Sequence, residues 1–174
     1  MSASESNILN GADSLSIDTA VRALKSDLLV AIPTETVYGL AARASSPNAV
    51  KKIFTIKGRP TEHPLILHIA KTQDLTLWSS EVPSAAHSLA EKYWPGPLTL
   101  IVRRNNKVCD EITGGRDTVA IRCPSHPITT ELLTRLDDAI VAPSANRFGK
   151  VSPTSARHVA EDFGGEVIVI LDGG

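Results

Sequence analysis

Six short apolar runs punctuate the sequence, at 28–32, 64–70, 97–104, 118–123, 139–143 and 166–171. Between most of them the apolar residues recur at helical spacing, and this alternation restricts the fold more than any other feature. Ser16 reads as an N-cap, with Ile17, Ala20, Val21 and Leu24 on one helical face behind it. Ser46 followed by Pro47 opens a second helix through Val50, Ile53 and Phe54. Further helices are expected over 84–94 (ended by Pro95-Gly96), 127–136 and 154–163. Strands separated by helices imply an α/β sheet with helices packed on it. The runs at 97–104 and 118–123 have only a loop with Gly114-Gly115 between them, so the sheet is expected to be mixed and twisted rather than purely parallel. In such sheets ligands gather where strands run out into loops, and the strand exits are the places to search.

At 174 residues the chain fits one domain. A hydrophobic fraction of 42% with 21% charged residues is that of a soluble globular protein. No stretch reaches the roughly 18 apolar residues of a membrane span, and no membrane partner is expected. The opening "MSASESNILNGADS" is polar and acidic, without the basic and apolar regions of a secretory signal. Residues 1–14 read as a flexible leader and 15–174 as the domain. Cys109 and Cys123 are too few and too irregularly placed for a disulfide framework or a zinc cluster, which makes a reducing, cytoplasmic setting the default. A net charge of −1 excludes a wholesale nucleic-acid-coating surface but leaves room for a local basic pocket. The chain ends on the apolar run "VIVILDGG", and its C-terminal end is expected to be truncated.

Four exits carry polar clusters. After 28–32 come Thr34, Glu35, Thr36 and Tyr38, a turn capped by threonine hydroxyls or one wall of a site. Gly39 lets the backbone pass close to a ligand or a neighbouring strand. In "KGRPTEHPLILH" (57–68), Lys57 and Arg59 flank Gly58 at a helix end. They cap that end or bind phosphate, arginine as a bidentate fork and lysine as a point charge. His63 and His68 follow, and His68 sits inside an apolar run, where a buried ring needs a partner. No paired spacing supports a metal centre. On 118–123, Thr118, Ala120 and Arg122 share one strand face. An arginine there needs an anion, either a bound carboxylate or phosphate or a structural Asp or Glu. Finally "APSANRFGKVSPT" (142–154) offers Ser144, Asn146, Gly149, Ser152 and Thr154, a loop able to form an anion nest, with "SPT" capping the next helix. Neither phosphate-loop fingerprint occurs, nor does a nucleophile elbow.

"PTETVYGLAA", "KGRP..HPL..H", "YWPGPLT", "TVAIRCP" and "PSAN..G..SPT" occur in this order across residues 33 to 154. Together they resemble the YrdC-type family, the L-threonylcarbamoyladenylate synthases of tRNA threonylcarbamoylation. The resemblance implies a twisted α/β sheet around a large electropositive cavity. It also implies a nucleotidyltransferase that converts L-threonine, bicarbonate and ATP, with Mg2+, into threonylcarbamoyl-AMP and pyrophosphate. A separate tRNA threonylcarbamoyl transferase would then consume the product. By the same resemblance Lys57, Arg59, Ser144 and Asn146 are the catalytic set and face ATP. His63, standing where the family often has asparagine, Thr118 and Ser152 join them on the nucleotide side. Threonine is expected at Thr36, His68, Arg122 and Ala142, with Tyr38 as a wall. Relatives continue past "DGG" into a Ser-Thr-Val segment and a later arginine. Two other readings stand beside the synthase: a module binding double-stranded RNA or ribosomal precursors, and a carbamoyl-transfer domain of hydrogenase maturation.

Overall fold

A computed structural model describes residues 7–174. The order of elements is β1 (Ile8–Asn10), α1 (Ser14–Lys25), β2 (Val30–Ile32), β3 (Gly39–Arg43), α2 (Pro47–Lys57), β4 (Ile66–His68), α3 (Leu75–Trp78), β5 (Ser79–Glu81), α4 (Ser84–Tyr93), β6 (Thr99–Arg104), α5 (Asp110–Thr113), β7 (Thr118–Arg122), α6 (Pro127–Leu136), β8 (Ile140–Val141), α7 (Ala156–Phe163) and β9 (Val169–Asp172). The nine strands form one mixed sheet in the order β1-β9-β2-β3-β8-β4-β7-β6-β5. The pairs β1·β9, β2·β9 and β4·β7 are parallel, and the remaining pairs are antiparallel.

Local chemistry accounts for the helices. Ser46 accepts from Ala49 N–H at the start of α2, Pro47 occupies the first turn, and Gly58 ends the helix with a φ of 63°. Only glycine takes that left-handed cap without a Cβ penalty. Two N-caps differ from expectation by a residue or more. Asp13, not Ser16, caps α1, and its carboxylate also takes the Ser16 hydroxyl (3.1 Å). Ser155, one residue beyond "SPT", caps α7 by accepting from His158 N–H (3.3 Å).

Three strands escape the sequence pattern. Residues 8–10, read as part of a loose leader, form β1 and pair in parallel with Ile170–Asp172. A three-residue strand held by a partner 162 positions away leaves no periodicity to read. The rest of the expected leader, residues 1–6, lies outside the described residues. β3, "GLAAR", is poor in β-formers, and β5 is three residues long.

Alternation along the strands divides the core in two. One face carries Ala31, Leu40, Ala42, Val141, Leu67, Ile121, Val119, Leu100 and Val102, packed with Val50, Ile53 and Phe54 of α2 and Val159 and Phe163 of α7. The opposite face carries Val30, Ile32, Ala41, Ile140, Val169 and Leu171 beneath Ala20, Val21 and Leu24 of α1 and Leu132, Leu133 and Leu136 of α6. Those two helices cover only the β9-β2-β3-β8 half. On β4, β7 and β6 the same face presents Ile66, His68, Thr118, Ala120, Arg122, Thr99, Ile101 and Arg103, and Ile101 is 73% exposed. One half of this face is therefore uncovered.

The neighbours Leu100 and Ile101 test this division, being 8% and 73% exposed on opposite faces. Leu100→Ala should cost about 2–5 kcal/mol in urea unfolding, whereas Ile101→Ala should stay within about 0.5 kcal/mol of the parent.

Candidate active site

The uncovered face has two chemically distinct ends. Ile66, Ala120 and Ile101 stand in register across β4, β7 and β6 as an apolar floor. Thr118 begins β7 and Arg122 ends it. At about 3.3 Å per residue, they lie roughly 13 Å apart.

At the Arg122 end, His68 and Arg122 are register partners, and both are buried. The Arg122 Nη2 group contacts Glu35 Oε1 at 2.9 Å and donates to Thr36 Oγ1 at 3.3 Å. Of the two anions open from the sequence, the described residues supply the protein carboxylate, Glu35. The Arg122 Nε is buried without a hydrogen-bond partner among the described residues. Desolvation raises the Glu35 carboxyl, but Arg122 and the backbone amides of Glu35 and Ser125 outweigh it and hold the group below its usual range. His68 shares its Nδ1 with the Ile66 carbonyl at 3.1 Å. A carbonyl only accepts, so Nδ1 carries the proton and Nε2 keeps a lone pair. Desolvation and the adjacent Arg122 charge push this imidazole down to about 4, so it is neutral at pH 7.

At the other end, the side chain of α2's last residue is committed. The Lys57 Nζ donates to the carbonyl of Ser144 at 2.6 Å and to that of Asn146. Lys57 is only 3% exposed, and burial beside Arg59 lowers it to about 8. Of its three protons, two are used by the loop. Arg59 Nη2 donates to Pro64 O (3.1 Å), while its Nε is buried and has no partner among the described residues. The Asn146 amide donates to Arg147 O and Lys150 O (2.7 and 2.8 Å), and its buried Oδ1 has no partner among the described residues. Ser144, Thr118 and Ser152 are half-buried. His63 is exposed, with its ring edge-on to Phe148 at 5.6 Å.

The "PTETVYGL" segment connects the two ends. Thr34 Oγ1 accepts from Thr36 N–H and Val37 N–H and donates to Val37 O, so this hydroxyl does cap the turn. Tyr38 donates its N–H to Pro153 O (2.9 Å) and accepts from Ala145 N–H (2.8 Å), while its buried hydroxyl meets Asp172 Oδ1 and Gly173 N–H. Gly39 bridges to Ser144, and a Cβ there would come within 3.2 Å of Ala142 Cβ. Its close approach is to the chain itself. Thr36, His68 and Arg122 are thus one group. Lys57, Ser144 and Asn146 are a second, with Arg59 adjoining. Ala142 and Tyr38 lie in the backbone seam between them.

Sequence reasoning left Glu35 unassigned, although it immediately precedes Thr36, and did not single out Phe148 or Arg147. Arg147 lies over the Phe163 ring and bonds Ile56 O and Glu166. Three cavities mark the surface. One of about 510 Å3 is bounded by Ala70, Lys71, Trp78 and Leu133, and one of about 630 Å3 by Arg103, Asn106 and Asp110. The third, about 520 Å3, touches Ser152. No three His, Cys, Asp or Glu residues gather as a metal site among the described residues. No helix among them is long and apolar enough to cross a membrane.

His68 ties the site to acid stability. Its unfolded-state pKa is near 6.5 and its folded one about 4, so between these values the unfolded chain binds a proton that the folded chain refuses. Stability from this group is present above pH 6.5 and lost as pH falls toward 4. Urea titrations should show wild type losing about 3 kcal/mol more than His68→Gln over that window; parallel losses would contradict a buried neutral ring.

Comparison with known proteins agrees with this architecture. A family model, Sua5_yciO_yrdC, described as "Telomere recombination", matches residues 22–174. A threonylcarbamoyl-AMP synthase of Pyrococcus abyssi is 49% identical over 97% of this chain and 49% of its own length. One of Bacillus subtilis is 46% identical over 91% of this chain and 46% of its own length. The chain thus spans about half the length of these curated relatives. The crystal structure of P. abyssi Sua5 complexed with L-threonine superposes with a TM-score of 0.94 at 49% identity, covering 96% of this chain and 50% of that one. Sequence, sheet order and superposition converge, and the chain belongs to the Sua5/YciO/YrdC family.

Proposed function

We propose that this chain carries the threonylcarbamoyl-AMP synthase chemistry named for its relatives, using L-threonine, bicarbonate and ATP. The observation that supports it most is the grouping of Arg122, Thr36 and His68 at one end of β4 and β7, with Lys57, Arg59 and Asn146 gathered at the opposite strand ends. The relative crystallised with L-threonine shares this backbone.

In this reading Arg122 takes the threonine carboxylate, with spare donors at Nε and Nη1. Thr36 Oγ1 and the His68 Nε2 lone pair meet the amino acid's polar groups. A site built to hydrogen-bond a hydroxyl rejects a substrate lacking it, because its buried groups are left unpaired. The triphosphate lies toward Arg59 and Thr118, with the unpartnered Asn146 Oδ1, Ser144, Ser152 and His63 beside it. The threonine amine attacks bicarbonate, whose C–O bond breaks so that water leaves, or attacks the CO2 that bicarbonate gives on losing water, and with loss of the amine proton a carbamate forms. A carbamate oxygen then attacks the α-phosphorus, the bond to the β-phosphate oxygen breaks, and pyrophosphate leaves. The protein's share is alignment and charge stabilisation. Mg2+ would be held by the phosphates and water rather than by a carboxylate cage, the usual habit of this ion, and would neutralise phosphate charge. A tRNA threonylcarbamoyl transferase would consume the product.

Purified chain given ATP, bicarbonate and labelled threonine should release pyrophosphate only when threonine is present; threonine-independent release, or none, sinks the reading. The two cations should separate. Arg59→Ala should lower kcat/KM by about 100-fold or more with little change in melting. Lys57→Ala should also destabilise the fold by about 3 kcal/mol, because two carbonyls lose a charged donor.

A further inference from the structure

Glu35 is an acidic side chain at the Arg122 end that the proposed chemistry leaves without a task. Its carboxylate lies 2.9 Å from the Arg122 guanidinium, and the two side chains are 19% and 10% exposed. Its charged form is favoured by Arg122 and by the backbone amides of Glu35 and Ser125. The pair nevertheless does not saturate the guanidinium. Glu35 and Thr36 both meet Nη2, and Nε is buried with no partner among the described residues. An arginine has five N–H donors, so a second carboxylate can bind without displacing Glu35.

A free amino acid carries an ammonium and a carboxylate on the same carbon. A guanidinium with unused donors and a carboxylate fixed at hydrogen-bond distance from it present the opposite charges at matching spacing. We propose that Glu35 and Arg122 together form a zwitterion receptor, in which Arg122 binds the α-carboxylate and Glu35 accepts the α-ammonium of the incoming L-threonine. Glu35 is then a specificity-determining residue. It selects free α-amino acids over hydroxy acids and N-acylated ones, and it holds the amine end until that amine is deprotonated for carbamate formation. This inference rests on the proposed threonine site and adds the amine-recognising group to it.

Calorimetry with the wild-type chain, without ATP, tests it using three probes: L-threonine, its 2-hydroxy analogue 2,3-dihydroxybutyrate, and N-acetyl-L-threonine. Threonine should bind about 10- to 100-fold more tightly than either analogue, the range expected for a hydrogen bond to a charged group. Glu35→Gln should weaken threonine by a similar factor and leave 2,3-dihydroxybutyrate nearly unchanged, collapsing the preference. Glu35→Asp, which keeps the charge on a shorter arm, should restore part of it. If Glu35 serves only to orient Arg122, Glu35→Gln weakens both ligands in parallel and the ratio stays put, which overturns the inference. Equal binding of all three probes by wild type overturns it without any variant, while leaving the threonine site standing. A wild-type chain that binds no threonine overturns both.

Discussion

A single buried ammonium organises one end of this fold. Lys57 closes α2, and its Nζ holds the carbonyls of Ser144 and Asn146 in the connection between β8 and α7. That connection contains no regular structure over residues 146–154 and could not pack by itself. An unpaired ammonium in such a place would be strongly disfavoured, and two unpaired carbonyls nearly as much. Each satisfies the other, so the charge and the loop are stable only together. Phe148 N–H returns to the Lys57 carbonyl at 2.8 Å, and Tyr38 ties both Ala145 and Pro153 to the β2–β3 segment. Three stretches far apart in sequence become one node.

The node matters because the sheet beside it is half bare. α1 and α6 bury one half of a face and stop, leaving Ile66, Ala120 and Ile101 as an apolar floor. A lone exposed isoleucine is unremarkable on a protein surface. A row of apolar residues in register, bounded at both ends by arginines with unpartnered buried Nε atoms, has a different character. It offers dispersion contacts in the middle and directional donors at the ends. The adenylation proposed for this chain asks for little more, since neither a nucleophilic side chain nor a covalent intermediate is required and the work lies in holding two reactants in line.

The sequence carried the parts of this arrangement that depend on local signals. Ser46-Pro47 and Gly58 mark the ends of α2 because caps and left-handed glycines are read from neighbours. The mixed sheet followed from two runs with no helical pattern between them in the sequence, although the structure places the four-residue α5 there. Elements held by distant partners were not legible: β1 exists through Ile170–Asp172, and Asp13 takes the cap expected of Ser16 because its carboxylate reaches both the backbone and the Ser16 hydroxyl. The same limit applied at the site. That Lys57 and Arg122 needed anionic or carbonyl partners was evident from their surroundings, but not which ones. Lys57 found backbone carbonyls 87 and 89 positions away, and Arg122 found Glu35, 87 positions back in sequence.

That last pairing bears on how a buried cation can serve both stability and recognition. An arginine awaiting an anion in a closed apolar setting would be costly in the ligand-free protein. An arginine fully engaged by its own protein would have nothing left to offer. Arg122 occupies the middle ground, because Glu35 and Thr36 engage one nitrogen and leave another buried without a partner. The internal carboxylate offsets the desolvation of the guanidinium and fixes its plane, while the unused donors face a requirement that only a further acceptor meets. Neutral His68 alongside adds a lone pair without adding a second positive charge that would compete for Glu35. The structural partner and the binding function, which the sequence presents as alternatives for this arginine, are compatible because a guanidinium has more donors than one carboxylate can use.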